Sequence, residues 1–157
     1  MITAIILTYN EQIHIERCIK SLQKITNKII VVDSQSKDKT LGICEELSVQ
    51  VYQNPFVNQA QQFNWALENC DISTDWVIRL DADEYLTDEL AKEIIPAINS
   101  ATENTTGFYL KRRVYFMGKW IKYGGYYPTK LLRIWKKNCG KYENRWMDEH
   151  VILEVGE

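Results

Sequence analysis

The chain has 157 residues, 45% hydrophobic and 25% charged, with a formal net charge of -2, enough to bury one good core and within the size of a single domain. Met1 to Leu7 has neither the basic start nor the cleavage site of a secretory leader and no stretch is long enough to cross a bilayer, so neither secretion nor a membrane span is expected. Cys18, Cys44, Cys70 and Cys139 are far apart, without CxxC or Cys/His metal spacing, and read as reduced core thiols of a cytosolic protein.

Short β-rich runs alternate with helical patterns through the first half, the signature of βαβ units feeding a mostly parallel sheet. Ile2–Thr8 is a continuous apolar run, as expected of a strand buried on both faces. A first helix follows, with Ile15, Cys18, Ile19 and Leu22 on one face, and then a second buried strand, Lys28–Asp33. Leu41, Cys44 and Leu47 mark a second helix, Val49–Asn54 a third strand, and Ala60, Phe63, Leu67 and Cys70 the face of a third helix. Trp76–Asp81 is the fourth strand. Leu90, Ile94 and Ile98 define a fourth helix, with Thr87 as its cap and Pro96 as a candidate kink. After Gly107 the pattern turns β-rich, with strands expected at Phe108–Phe116 and Lys130–Trp135.

Charge is unevenly spread. Residues 1–107 carry 8 basic and 16 acidic side chains, whereas 108–147 carry 11 basic ones against the single acid Glu143. A solvated rim accounts for this; so does attraction to an anionic partner such as a diphosphate, a phosphorylated glycan or an acidic membrane surface. Among the aromatic residues interleaved there, Phe116 and Trp135 are expected in the core, while Trp120, Tyr126 and Tyr127 are candidates for an acceptor loop.

Open α/β sheets bind ligands outside the carboxyl ends of their parallel strands. The polar residues closing strands one, two and four, Thr8-Tyr9-Asn10-Glu11, Asp33-Ser34 and Asp81-Ala82-Asp83-Glu84, are therefore expected to converge on one crevice. Asp81 and Asp83, separated by one residue in a tight turn, can both reach Mg²⁺ or Mn²⁺ while leaving positions open for substrate phosphates. Three adjacent carboxylates repel one another, and a cation is the economical relief; a solvated acidic turn leading into the Thr87 helix is the competing reading. Asp33 suits the hydrogen bonds of a base N–H or of ribose hydroxyls, or only organises its own turn; Asp38 is expected only to cap.

Taken together, Thr8–Glu11, Asp33-Ser34 with Ser36, Asp38 and Thr40, the segment from Asn58-Gln59-Ala60 to Asn64-Trp65-Ala66-Leu67, and Trp76–Glu84 resemble the family 2 glycosyltransferases of the GT-A fold, most of all the bacterial branch that builds lipopolysaccharide core and related envelope glycans. The likeness runs from Met1 to about Val151. It implies a mostly parallel sheet flanked by helices, with residues 1–107 as the nucleotide-sugar half and 108–157 as a β-rich, incomplete acceptor side of one domain. It also implies that Thr8–Glu11, Asp33 and Ser34 hold the base and ribose, that Asp81 and Ala82 lie at the ribose and metal, and that Asp83 ligates Mn²⁺ or Mg²⁺ at the diphosphate. Such enzymes invert the anomeric centre with an acidic base on the acceptor side, here Glu149 in preference to Asp148. His150 is a further metal ligand, a diphosphate contact or a structural residue.

The implied partners are a nucleotide-sugar donor, UDP-linked by family likeness, and a glycan or lipid-linked acceptor; a seat at the inner face of the plasma membrane fits the basic aromatic stretch. A hydroxyl acceptor has a high pKa, so a carboxylate must take its proton as it attacks. The alternative is a truncated, non-catalytic nucleotide- or glycan-binding module. With no glycine-rich phosphate loop after the first strand and no Walker, GxGxxG or GxSxG pattern, a sugar nucleotidyltransferase, kinase, dehydrogenase or serine hydrolase is disfavoured. The acidic first half speaks against nucleic acid. Oligomeric state is left open.

Overall fold

The computed structural model describes residues 1–125, 127–142 and 151–153, the side chains of Lys141, Tyr142 and Ile152 excepted. In chain order the elements are β1 (Ile2–Thr8), α1 (Ile15–Leu22), β2 (Ile29–Asp33), α2 (Thr40–Glu46), β3 (Gln50–Gln53), α3 (Gln59–Asn69), β4 (Trp76–Asp81), α4 (Asp88–Asn99), β5 (Gly107–Arg112), β6 (Val114–Phe116), β7 (Lys119–Ile121), β8 (Thr129–Lys136), β9 (Gly140–Tyr142) and β10 (Val151–Leu153). Six strands form one sheet in the order β3-β2-β1-β4-β8-β5. β3, β2, β1 and β4 run parallel, whereas β8 lies antiparallel to both β4 and β5.

The order explains the composition of the strands. β1 and β2 are central and covered on both faces, so they are apolar without alternation. On one face they meet Ile15, Cys18, Ile19 and Leu22 of α1, Cys44 of α2 and Ala91, Ile94 and Ile98 of α4. On the other, Ile5, Ile30, Val32 and Val77 pack with Ala60, Phe63 and Ala66 of α3 and with Trp135. Two helices have side-chain caps: Asn58 accepts from the Gln61 N–H ahead of α3, and Thr87 from the Leu90 N–H ahead of α4, as expected for Thr87.

Two expectations need correction. The run Phe108–Phe116 is two strands: β5 stays in the main sheet and the chain leaves it at Arg113, so that β6 pairs only with β7 in a separate hairpin. Phe116 consequently lies outside the core, 66% exposed, whereas Trp135 is fully buried as expected. Cys70 sits just past the end of α3 and is still buried with Cys18 and Cys44, while Cys139 is half-exposed; all four thiols are free. No described helix is long and apolar enough to cross a membrane.

Candidate functional site

Strand register brings the expected segments to one edge. Thr8 lies beside Asp33 and Leu7 beside Asp81, so β2, β1 and β4 end at the same level. With neighbouring strands about 4.8 Å apart, the ends of β2 and β4 are separated by about 10 Å. The chain order reverses here, since β2 and β3 lie to one side of β1 and β4 to the other, which makes this edge a topological switch point.

The β1 and β2 ends are laced into one body. Asn10, in the left-handed region at φ 54°, donates from its backbone to Ser36 Oγ at 2.8 Å and accepts on Oδ1 from the Lys37 N–H at 2.8 Å. The Glu11 N–H donates to Thr40 Oγ1 and the Gln12 N–H to Asp38 Oδ2. Asp38 therefore does more than cap, because it ties the β1 loop to the start of α2; desolvation is the largest single effect and raises its carboxyl, but the hydrogen bonds from the Thr40 hydroxyl and from backbone N–H groups together hold it below the usual range. Tyr9 projects with its ring exposed, and Glu11 pairs with His14 at 2.7 Å.

Asp33 is fully buried and receives the Ser36 N–H on Oδ2 at 2.8 Å and the Ser36 hydroxyl on Oδ1. It organises its own turn in the way the simpler sequence reading supposed. Ser34 donates its N–H to the Thr8 carbonyl and accepts on Oγ from Gln62 of α3. The Thr8 hydroxyl oxygen is buried with no hydrogen-bond partner among the described residues, a polar atom whose burial costs free energy until something meets it.

The acidic turn, for which a cation is the economical relief in the sequence, also has counter-charges within the chain. Arg79, on β4, donates to Asp81 Oδ1 at 2.7 Å and to Gln59 of α3 at 3.1 Å. Arg133, on β8, donates to Glu84 Oε1 at 2.7 Å and lies 3.4 Å from Asp81 Oδ2. The Glu84 carboxylate also accepts the Asp81 N–H, and the Glu84 N–H closes the turn onto the Asp81 carbonyl. Two buried guanidinium groups thus offset Asp81 and Glu84. Burial still pushes Glu84 above the usual carboxylate range, with Arg133 opposing.

Asp83 is the remaining acid of the turn: its side chain is exposed and its carbonyl is held by Arg17, which stacks over Tyr85 at 4.4 Å. Ala82 between them is buried. Behind the turn, burial first, and then the carboxylates of Glu84, Asp81 and Asp83, push the Cys18 thiol far above its ordinary value.

Thus Asp81, Asp83 and Glu84 form one group, Thr8 to Glu11 with Asp33 and Ser34 form a second, and both stand at one edge. Among the described residues no three His, Cys, Asp or Glu side chains could by themselves hold a metal ion. The donor set fits a hard divalent cation that takes one or two carboxylates and completes its shell with phosphate and water oxygens, Asp83 being open and Asp81 partly so. Asp148, Glu149 and His150 lie outside the described residues, as does Tyr126.

Arg79 and Arg133 were not expected, although each stands out as a charge inside an apolar strand, in Trp76-Val77-Ile78-Arg79-Leu80 and Leu131-Leu132-Arg133-Ile134-Trp135. A cation in such a place needs a counter-ion. From the turn a cleft of about 1070 Å³ runs past Asp83, Glu84 and Arg133 towards Arg112, Tyr115 and Tyr127.

The family model described as Glycosyl transferase family 2 matches residues 3–154. The lipopolysaccharide core biosynthesis glycosyltransferase LpsC of Rhizobium meliloti is 30% identical over 152 residues, covering 90% of this chain and 53% of its own length. Across the curated relatives it matches, the chain spans from about one fifth to about one half of their length. Among solved structures, S. aureus TarS 1-349 in complex with UDP superposes with a TM-score of 0.54 at 27% identity over 62% of this chain and 32% of that one. The mannosyltransferase PcManGT from Pyrobaculum calidifontis, in complex with GDP-Man and Mn²⁺, gives 0.56 at 23% identity over 71% and 35%; at that identity the likeness concerns the fold.

Proposed function

Because the chain belongs to glycosyl transferase family 2, we propose that it moves a sugar, with inversion, from a nucleotide-diphosphate sugar, UDP-linked by preference, to a hydroxyl of a cell-envelope glycan such as lipopolysaccharide core. The observation that carries this is the register that sets Thr8, Asp33 and Asp81 at one level with the open Asp83 carboxylate beside them. An edge of about 10 Å between the two groups suits a nucleoside at one end and its diphosphate at the other.

The base and ribose rest against Thr8, Tyr9, Asn10, Glu11 and Ser34. Asp33 acts there by fixing the Ser36 turn, which it holds through both carboxylate oxygens. Asp81, steadied by Arg79, lies at the ribose and diphosphate side with Ala82, and Asp83 holds Mn²⁺ or Mg²⁺ together with the diphosphate oxygens. When bound, that ion offsets the charge developing on the leaving diphosphate. Arg79 and Arg133 keep the turn in one geometry before substrate arrives, so less order has to be created on binding. The acceptor occupies the cleft beside Arg112, Tyr115 and Tyr127; Glu149, or Asp148 in its place, is the residue proposed to take its hydroxyl proton, and His150 is assigned to the metal and diphosphate. Residues 1–157 act as one domain in this reading, on the cytoplasmic side.

A second reading, a non-catalytic module that binds nucleotide or glycan, is favoured by one observation, the pairing of Asp81 and Glu84 with Arg79 and Arg133, which leaves Asp83 as the one open carboxylate of the turn. Release of free UDP from UDP-sugars in the presence of Mn²⁺, lost in Asp83→Ala and in chelator, supports the transferase; tight UDP binding with no turnover on any nucleotide-sugar supports the module.

A further inference from the structure

The hairpin of β6 and β7 packs as no core strand does. Val114 faces Ile121, Tyr115 faces Trp120 and Phe116 faces Lys119, closed by Met117-Gly118 with φ of 49° and 75°. Two consecutive positive φ values make this a tight two-residue turn whose twist matches the strands, so its tip is held in place rather than loose. At that tip Phe116 is 66% and Met117 87% exposed, and Tyr123 stands exposed just beyond β7. Lys111, Arg112, Arg113, Lys119 and Lys122 are all exposed around them. Trp120 stiffens the base of the hairpin, with Arg113 4.8 Å and Lys122 4.7 Å from its ring and Tyr127 edge-on at 5.0 Å.

The hairpin also has a defined place relative to the site. Ile78 of β4 faces Ile134 of antiparallel β8, so Thr129 at the start of β8 lies beyond the level of Asp81; Arg112, the last residue of β5, pairs with that Thr129. The hairpin therefore rises from the edge of the sheet that carries the acidic turn, and Tyr115 and Gly118 line the far end of the cleft that begins at Asp83.

We propose that the Phe116-Met117 tip and its ring of cations dock the mouth of this cleft onto an anionic lipid bilayer. Apolar side chains at a rigid tip enter the interface while lysine and arginine ammonium and guanidinium groups meet the lipid phosphates, each part too weak alone for stable attachment. Charge complementarity selects this occupant: residues 108–125 carry five basic side chains, all exposed, and no acid, and three of the five are lysine, which protein–protein interfaces deplete. The docking itself does not depend on the transferase reading. Its consequence does rest on that reading: an acceptor anchored in the bilayer would enter the cleft from the hairpin side.

The test is cosedimentation of the 157-residue chain with vesicles of phosphatidylglycerol and phosphatidylethanolamine, and with vesicles of phosphatidylcholine alone, at low and high salt. The chain should bind the anionic vesicles, lose binding as salt rises, and weaken by about tenfold or more in the Phe116→Ser/Met117→Ser double variant. UDP affinity should be unchanged in that variant, and Asp83→Ala should keep full vesicle binding, which separates this proposal from the nucleotide site. A fluorophore on Met117→Cys in a Cys139→Ser background should shift to the blue on anionic vesicles, which covers the case of a double variant that melts early. No binding to anionic vesicles, equal binding to both kinds, undiminished binding of a folded double variant, or a dimer dissolved by the double variant without any vesicle binding would each overturn the proposal.

Discussion

Replacing Arg133 by Met keeps most of the side-chain volume on β8 and removes the counter-charge of Glu84 and part of that of Asp81. Arg133 is buried, with only 9% of its side chain exposed, while the side chains of Glu84 and Asp81 retain 21% and 31% exposure. Breaking a fully buried pair costs about 3–5 kcal/mol; with water screening these carboxylates in part, about 2–3 kcal/mol is expected at neutral pH. For a chain of this size that corresponds to a fall in Tm of roughly 5–10 °C. Urea unfolding of the wild type, Arg133→Met, Glu84→Gln and the double variant closes a cycle. The double variant should be more stable than the sum of the two single losses by about 1 kcal/mol or more, because Glu84→Gln removes the charge that Arg133→Met strands. Arg133→Met within about 0.5 kcal/mol of wild type, or strict additivity in the cycle, would refute the view that the arginines rather than a cation neutralise the turn.

Two further outcomes follow from packing. Burial pushes the Cys44 and Cys70 thiols up to about 11 from 9.0, with Asp33 adding to the effect at Cys44; a raised folded-state value favours the neutral thiol, so this contribution to stability is intact below pH 9 and is lost as pH rises to 11. Thermal melts across that range should show the decline, and a thiol reagent at neutral pH should label Cys139 well before the three buried cysteines. Gly140→Ala would place a Cβ 2.7 Å from Cδ1 of the fully buried Trp135 ring, at a cost of about 1–3 kcal/mol, whereas Gly42→Ala in α2 meets nothing within 4 Å and should stabilise by roughly 0.5–1 kcal/mol; chemical denaturation of both variants checks the contrast.

Most of the parallel half of the fold was legible because β1, β2 and β4 are buried on both faces and the helices on one, so that hydrophobic period separates them. The positions of Thr8, Asp33 and Asp81 at strand ends followed from the same pattern. The arginine pair was not legible in its role, since Arg133 reaches Glu84 and Asp81 only through the antiparallel register of β8 against β4, a long-range pairing that no local pattern encodes. Phe116 is expected in the core as an aromatic residue of a β-rich run, and the structure differs because the chain leaves the sheet at Arg113 and carries it into the separate β6–β7 hairpin. Asp33 is expected to meet a base or ribose from its place at the end of a buried strand; its two bonds to Ser36 depend on the conformation of the following turn, which the strand pattern does not encode.

Isothermal titration of UDP into the chain, with Mn²⁺ and with chelator, tests most directly whether the two groups at this edge grip the two ends of one nucleoside diphosphate. Binding that needs the metal, is lost in Asp83→Ala and is weakened in Asp33→Ala while Mn²⁺ affinity persists is the predicted result. Equal UDP affinity with and without metal, and in both variants, would contradict it.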